Sequence, residues 1–114
     1  MKIALVTGAS RGIGRAIAIR LGKEGYHVLV NFRKAESEAL KTLESIIAAG
    51  GEGELLGFDV SKAEEVRKTL DRWHEVNPEK KITILVNNAG LARDNLMVFM
   101  SDREWTDVMS TNLD

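Results

Sequence analysis

The sequence predicts an α/β protein built on a doubly wound parallel sheet. Four apolar runs of strand length alternate with stretches of helical periodicity, glycine or proline marks each passage from helix to strand, and a glycine cluster follows the first strand. Single helices between strands call for right-handed crossovers, so the expected strand order is 3-2-1-4. A ligand crevice is expected where that order reverses, between strands one and four, near Gly8 and Asn87.

Ile3-Ala4-Leu5-Val6 is a continuous apolar run ending at Thr7-Gly8, the pattern of a strand buried on both faces. Ile13, Ala16, Ile17 and Leu21 then recur at helical spacing until Gly25, and His27 to Asn31 form the second strand. Leu40, Leu43, Ile46 and Ile47 mark a second helix stopped by Gly50-Gly51, and Glu54 to Phe58 a third strand. Ser61-Lys62-Ala63-Glu64 has the spacing of a capping box opening a helix that carries Val66, Leu70 and Trp73 and closes at Pro78. Ile82 to Val86 is the fourth strand. A second capping box, Ser101 to Glu104, predicts a fourth helix with Trp105, Val108 and Met109.

The chain has 114 residues, 44% of them hydrophobic and 29% charged, which suits one globular unit with a single core. The 16 basic and 17 acidic residues are dispersed and leave a net charge of -1, so neither a nucleic acid nor a membrane is expected as partner. The absence of cysteine excludes disulfides, thiolate zinc sites and a cysteine nucleophile, and accords with a reducing compartment. The opening apolar run is too short for a signal peptide, and no later run approaches a membrane span. A cytoplasmic protein without a metal site is expected.

Gly8, Gly12 and Gly14 stand between strand and helix, where a phosphate-binding loop belongs. One glycine permits the turn, one lets the backbone approach a pyrophosphate, and one lets the helix pack on the sheet, its N-terminal N–H groups favouring an anion. The spacing is T-G-x-x-x-G-x-G, and the Gly-Lys-Ser/Thr of a nucleoside triphosphatase is missing. A carboxylate at the end of strand two would bind the ribose hydroxyls of NAD, but the sequence there is Asn31-Phe32-Arg33-Lys34. Arg33, with Arg11 of the glycine loop, is placed to grip a 2′-phosphate. A charge-assisted bond of roughly 1.5–3 kcal/mol would favour NADP(H) by about one to two orders of magnitude.

With Asp59-Val60 after strand three and Asn87-Asn88-Ala89-Gly90 after strand four, the whole chain resembles the short-chain dehydrogenase/reductases. The resemblance implies a Rossmann-type domain whose cofactor residues are Gly8, Ser10, Arg11, Gly12, Ile13, Gly14, Asn31, Arg33, Asp59, Val60, Asn87, Ala89 and Gly90. Asp59 and Val60 would border the adenine, and Asn87 to Gly90 the adenosine ribose. Thr7 would belong to the fold's own turn. Asn112 in Thr111-Asn112-Leu113 matches the family's catalytic Asn, which holds a water in the proton relay behind the active-site Lys.

Within the family, Arg93-Asp94-Asn95-Leu96 followed by Glu104-Trp105 is most similar to the 3-oxoacyl-[acyl-carrier-protein] reductases of fatty acid synthesis. That implies a small-molecule or carrier-bound thioester substrate and a homo-oligomer, usually a tetramer. Two departures bear on the substrate: Thr83 replaces the acid common before the fourth strand's Ile-Leu-Val, and Asn77 to Lys81 lengthen the preceding loop. Trp105, Val108, Met109 and the run Leu96 to Met100 are read as core and subunit contacts, and His27 and His74 as structural.

The resemblance also implies a catalytic Ser, Tyr and Lys, yet the sole Tyr is Tyr26, with Val30 four residues on. The expectation is therefore that residues 1–114 are the dinucleotide-binding portion of one Rossmann domain, ending before its catalytic half and inactive alone. Strand four would then become a bare edge, making the isolated chain poorly stable. Two alternatives stand beside this reading: a non-catalytic dinucleotide-binding or assembly module, and a reductase of another carbonyl substrate such as a sugar, steroid or small alcohol.

Overall fold

A computed structural model of the protein describes residues 2–89 and 107–110. Five strands form one parallel sheet in the order β3-β2-β1-β4-β5: β1 Ile3–Val6, β2 His27–Phe32, β3 Glu52–Gly57, β4 Ile82–Asn87 and β5 Asp107–Ser110. The first four reproduce the predicted 3-2-1-4 arrangement. Helices α1 Gly12–Lys23, α2 Glu36–Ala48 and α3 Ala63–Val76 supply the crossovers.

All four residues of β1 are fully buried, which is why its sequence is apolar throughout. It pairs with β2 through Leu5↔Leu29 and with β4 through Leu5↔Leu85. The pleat sends Ala4 and Val6 to one face, where α1 and α2 bury Ala18, Leu21, Ala39 and Ile46 against Val28, Val30 and Val86. Ile3 and Leu5 go to the other, packed with Leu29, Phe58 and Leu85 beneath Val66, Leu70 and Trp73 of α3. Each fully buried Leu or Phe side chain contributes about 1.5–3 kcal/mol, so the three layers are held chiefly by this burial.

The helix ends set where the next strands begin. Gly25 takes φ +94° after α1; its N–H bonds to the Gly22 carbonyl and that of Tyr26 to Leu21, both at 3.1 Å, a Schellman closure. Gly50 and Gly51 close α2 by the same pair of bonds, to Ile47 and Ile46. At the amino end of β2, His27 Nε2 lies 2.8 Å from Glu54 Oε2, and the Trp73 indole donates to the other oxygen of that carboxylate at 3.3 Å. Both contacts are structural and stand at the opposite end of β2 from Asn31.

Three expectations change. The capping box at Ser61 and Glu64 does not form: α3 starts at Ala63 with no side-chain cap, and the Ser61 hydroxyl donates instead to Asp59 Oδ1 at 2.7 Å. A carboxylate two residues upstream is the stronger partner for that hydroxyl. Strand β3 begins two residues earlier than expected, because its ladder with β2 runs from His27↔Glu52. Over Asp107–Ser110 the expected fourth helix is replaced by β5, parallel to β4 from Ile84↔Asp107 to Asn87↔Ser110. A helical pattern resting on Trp105, Val108 and Met109 is too short to outweigh the row of backbone groups along β4. β4 is therefore an internal strand, and the argument for instability from its bare edge loses its basis.

Candidate functional site

The carboxyl ends of β1, β2, β3 and β4 meet around the turn from Thr7 to Arg11. Thr7 is fully buried; its N–H bonds to the Val86 carbonyl at 3.0 Å, and its hydroxyl accepts the Ala89 N–H at 3.1 Å. Gly8 follows with φ +62°, its N–H donating to Asn31 Oδ1 at 3.1 Å and its carbonyl accepting from Asn88 Nδ2 at 3.0 Å. A Cβ at Gly14 would stand 2.1 Å from that same carbonyl, so the helix can press on the turn only because position 14 carries no side chain. Arg11 is the N-cap of α1; it gives no side-chain cap bond, and no acid occupies the first turn. The first N–H groups of α1 thus lack a side-chain cap, an arrangement that favours an anion.

Behind the loop, Arg15 of α1 and Thr42 of α2 fix its carbonyls. Arg15 Nη2 donates to the Ser10 carbonyl at 2.6 Å and to that of Glu38 at 3.0 Å, while Nε donates to the Thr42 hydroxyl at 2.9 Å. The Thr42 hydroxyl, fully buried, donates to the Ala9 carbonyl at 2.8 Å. Glu38 pairs with Lys41 at 3.0 Å. That contact, with the charges of Arg15 and Arg11, holds the Glu38 carboxyl below its usual range.

Beside the loop opens a cavity of about 290 Å3, bordered by Gly8 after β1, Asn31 and Arg33 at the end of β2, Asp59 and Val60 after β3, and Ala89 after β4. Asn31 is buried, and its amide spans three strands: Oδ1 takes the Gly8 N–H, and Nδ2 donates to the carbonyls of Leu56 at 3.1 Å and Phe58 at 3.2 Å. Asp59 receives the Ser61 N–H and hydroxyl on Oδ1 and Arg33 Nε on Oδ2 at 3.2 Å. The two bonds from Ser61, then the charges of Arg33 and Lys62, lower its carboxyl pKa against the opposing effect of burial.

The structure therefore gathers Gly8, Asn31, Arg33, Asp59, Val60 and Ala89 on one cavity, with Ser10 and Arg11 on the adjoining turn and Gly12, Ile13 and Gly14 in the first turn of α1. Asn87 is buried at the end of β4. Gly90, Asn112, Trp105 and residues 96–100 lie outside the described residues. Arg11 is exposed and does not border the cavity, so Arg33 is the cation at its rim. Among the described residues no group of His, Cys, Asp or Glu is placed to hold a metal, and no helix is long and apolar enough to cross a membrane. Sequence reasoning missed Arg15, Thr42 and Ser61. The available signal for Thr42 was a polar residue on the helix face that carries Ala39 and Ile46.

Against known proteins, the model of the short chain dehydrogenase family matches residues 2–114. The chain is 45% identical over 112 residues to the 3-oxoacyl-[acyl-carrier-protein] reductase FabG of Staphylococcus epidermidis, covering 98% of this chain and 45% of that protein. It is 50% identical over 114 residues to FabG of Pseudomonas aeruginosa, covering 98% of this chain and 44% of the relative. The chain thus spans under half the length of these relatives. Among solved structures, the landomycin C-6 ketoreductase LanV with bound NADP and rabelomycin superposes with TM-score 0.69 at 39% identity, over 78% of this chain and 38% of that one. A metagenomic short-chain oxidoreductase in complex with NADP gives TM-score 0.70 at 38% identity, with the same two coverages.

Proposed function

This chain belongs to the short chain dehydrogenase family, a family of NAD(P)-dependent oxidoreductases, and from that premise we propose that it forms the NADPH site of a 3-oxoacyl thioester reductase. The observation that carries the cofactor choice is Arg33 at the cavity rim, where a carboxylate would select NAD. The residues fit the cofactor. The glycine-lined turn and the uncapped start of α1 suit a pyrophosphate, and the cavity between Gly8 and Asp59 suits an adenosine.

In this reading the loop N–H groups bind the pyrophosphate and Arg33 receives the 2′-phosphate, with Arg11, exposed on the neighbouring turn, as a second positive charge outside the cavity lining. Asp59 and Val60 border the adenine, and Asn87, Ala89 and Gly90 the ribose. Bound NADPH supplies the hydride. Asn112 holds the water of the proton relay, and a Ser, Tyr and Lys beyond residue 114 complete the site. A polypeptide of residues 1–114 would then show no turnover. The identity to FabG supports a carrier-bound 3-oxoacyl substrate; a role in fatty acid synthesis as a cytoplasmic homo-oligomer completes the proposal.

The test is titration of the full-length protein carrying this sequence with NADPH and NADH, followed by turnover of an acetoacetyl thioester. NADPH binding about tenfold or more tighter than NADH is expected, with Arg33→Ala removing most of the difference. Equal affinities would refute the cofactor choice, and the absence of thioester-dependent NADPH oxidation would refute the substrate. A second reading, reduction of a different ketone, draws on the likeness to LanV and predicts turnover of polycyclic ketones instead.

A further inference from the structure

Arg33 and Asp59 border the same cavity and are bonded to each other, Nε to Oδ2 at 3.2 Å. The two partners are unequal. The Asp59 side chain is 11% exposed and is fixed by two bonds from Ser61 to its other oxygen, whereas the Arg33 side chain is 66% exposed. The carboxylate is the stationary member of the pair and the guanidinium the movable one. Among the described residues, Asp59 is the acid paired with Arg33.

We infer that Asp59 is a specificity-determining residue that restrains the preference for a 2′-phosphorylated nucleotide, by competing with that phosphate for Arg33. The inference rests on the dinucleotide reading above. A 2′-phosphate reaching Arg33 meets a cation already paired with a carboxylate and comes close to the fixed negative charge of Asp59. Both effects oppose the phosphate and leave an unphosphorylated ribose nearly untouched. The opposite possibility is that Asp59 merely aims the guanidinium. Aiming an exposed side chain gains little, and like charges a few ångströms apart at a partly screened surface cost more. Competition is therefore the dominant effect.

The experiment measures dissociation constants of 2′,5′-ADP and 5′-AMP calorimetrically on the full-length protein, as wild type, Asp59→Asn, Arg33→Ala and the double variant. Any contact of position 59 with the adenine cancels in the ratio of the two constants, and Asn keeps an acceptor for Ser61. Asp59→Asn is expected to raise discrimination in favour of 2′,5′-ADP about threefold. Arg33→Ala should lower it about tenfold, and the gain from Asp59→Asn should shrink by half or more in that background. Unchanged or reduced discrimination in Asp59→Asn, with the wild type binding both nucleotides, overturns the inference while leaving the dinucleotide reading intact. Failure of the wild type to bind either nucleotide overturns both.

Discussion

The Thr42 hydroxyl on α2 accepts a hydrogen bond from the Arg15 guanidinium of α1 at 2.9 Å and donates one to the Ala9 carbonyl at 2.8 Å, so two helices grip the back of the glycine loop. Thr42→Val keeps the volume but strips partners from both groups in a buried setting. A stability loss of about 1–3 kcal/mol is expected in urea unfolding, with weaker NADPH binding, while Thr42→Ser retains most of both. A loss below about 0.5 kcal/mol for Val would show the hydroxyl to be idle.

Gly14 and Gly12 should respond differently to alanine. At Gly14 the added Cβ meets the Gly8 carbonyl at 2.1 Å and the Asn88 amide at 2.6 Å; at Gly12 nothing lies within 4 Å, but φ is +61°. Gly12→Ala should cost about 1 kcal/mol through backbone strain alone. Gly14→Ala must displace backbone, so a cost of about 3 kcal/mol or more, with loss of nucleotide binding, is expected. Comparable melting temperatures for the two variants would contradict this account.

Asn31→Ala would take the acceptor from the Gly8 N–H and at the same time remove a donor shared by the Leu56 and Phe58 carbonyls. About 2–3 kcal/mol should be lost, above the cost of an ordinary surface substitution. Hydrogen exchange at Gly8 offers a direct readout, since that amide loses its acceptor in the variant.

The lowered carboxyl pKa values of Asp59 and Glu38 make stability depend on acid in a defined direction. Each folded-state value lies below the unfolded one, so each contribution is complete above the ordinary values of 3.8 and 4.5 and fades as pH falls through the lower folded values. The stability difference between wild type and an Asp59→Asn, Glu38→Gln variant should be constant near neutral pH and shrink below about pH 4. Urea midpoints recorded from neutral to acid pH check this; a difference that grows toward acid would reverse the sign.

The strands and the glycine loop could be read in advance because their constraints are local. Burial on both faces demands an unbroken apolar run such as Ile3–Val6, and a turn pressed against a helix start demands glycine at position 14. Competing partners explain the failures. Ser61 sits at capping spacing from Glu64, yet the Asp59 carboxylate captures it. Residues 107–110 sit within a short helical pattern, yet the open side of β4 draws them into the sheet. Thr42 and Ala9 stand 33 residues apart in the chain, and no spacing rule links them; only the packing of α1 on α2 does. The Arg33–Asp59 pair was hidden likewise, each residue being read for a ligand rather than for the other.

The place of β1 also governs how the loop moves. With neighbours on both sides and no solvent contact at any of its four residues, β1 should own the slowest-exchanging amides of the molecule, released only by global unfolding. The Thr7 N–H, bonded to Val86, continues that ladder into the turn. The loop is thus mounted on the strand that is buried at every residue and paired on both sides, so its opening is expected to follow global unfolding. A core substitution beneath Leu5, remote from any nucleotide, should therefore speed exchange at the Thr7 amide in step with the loss of global stability.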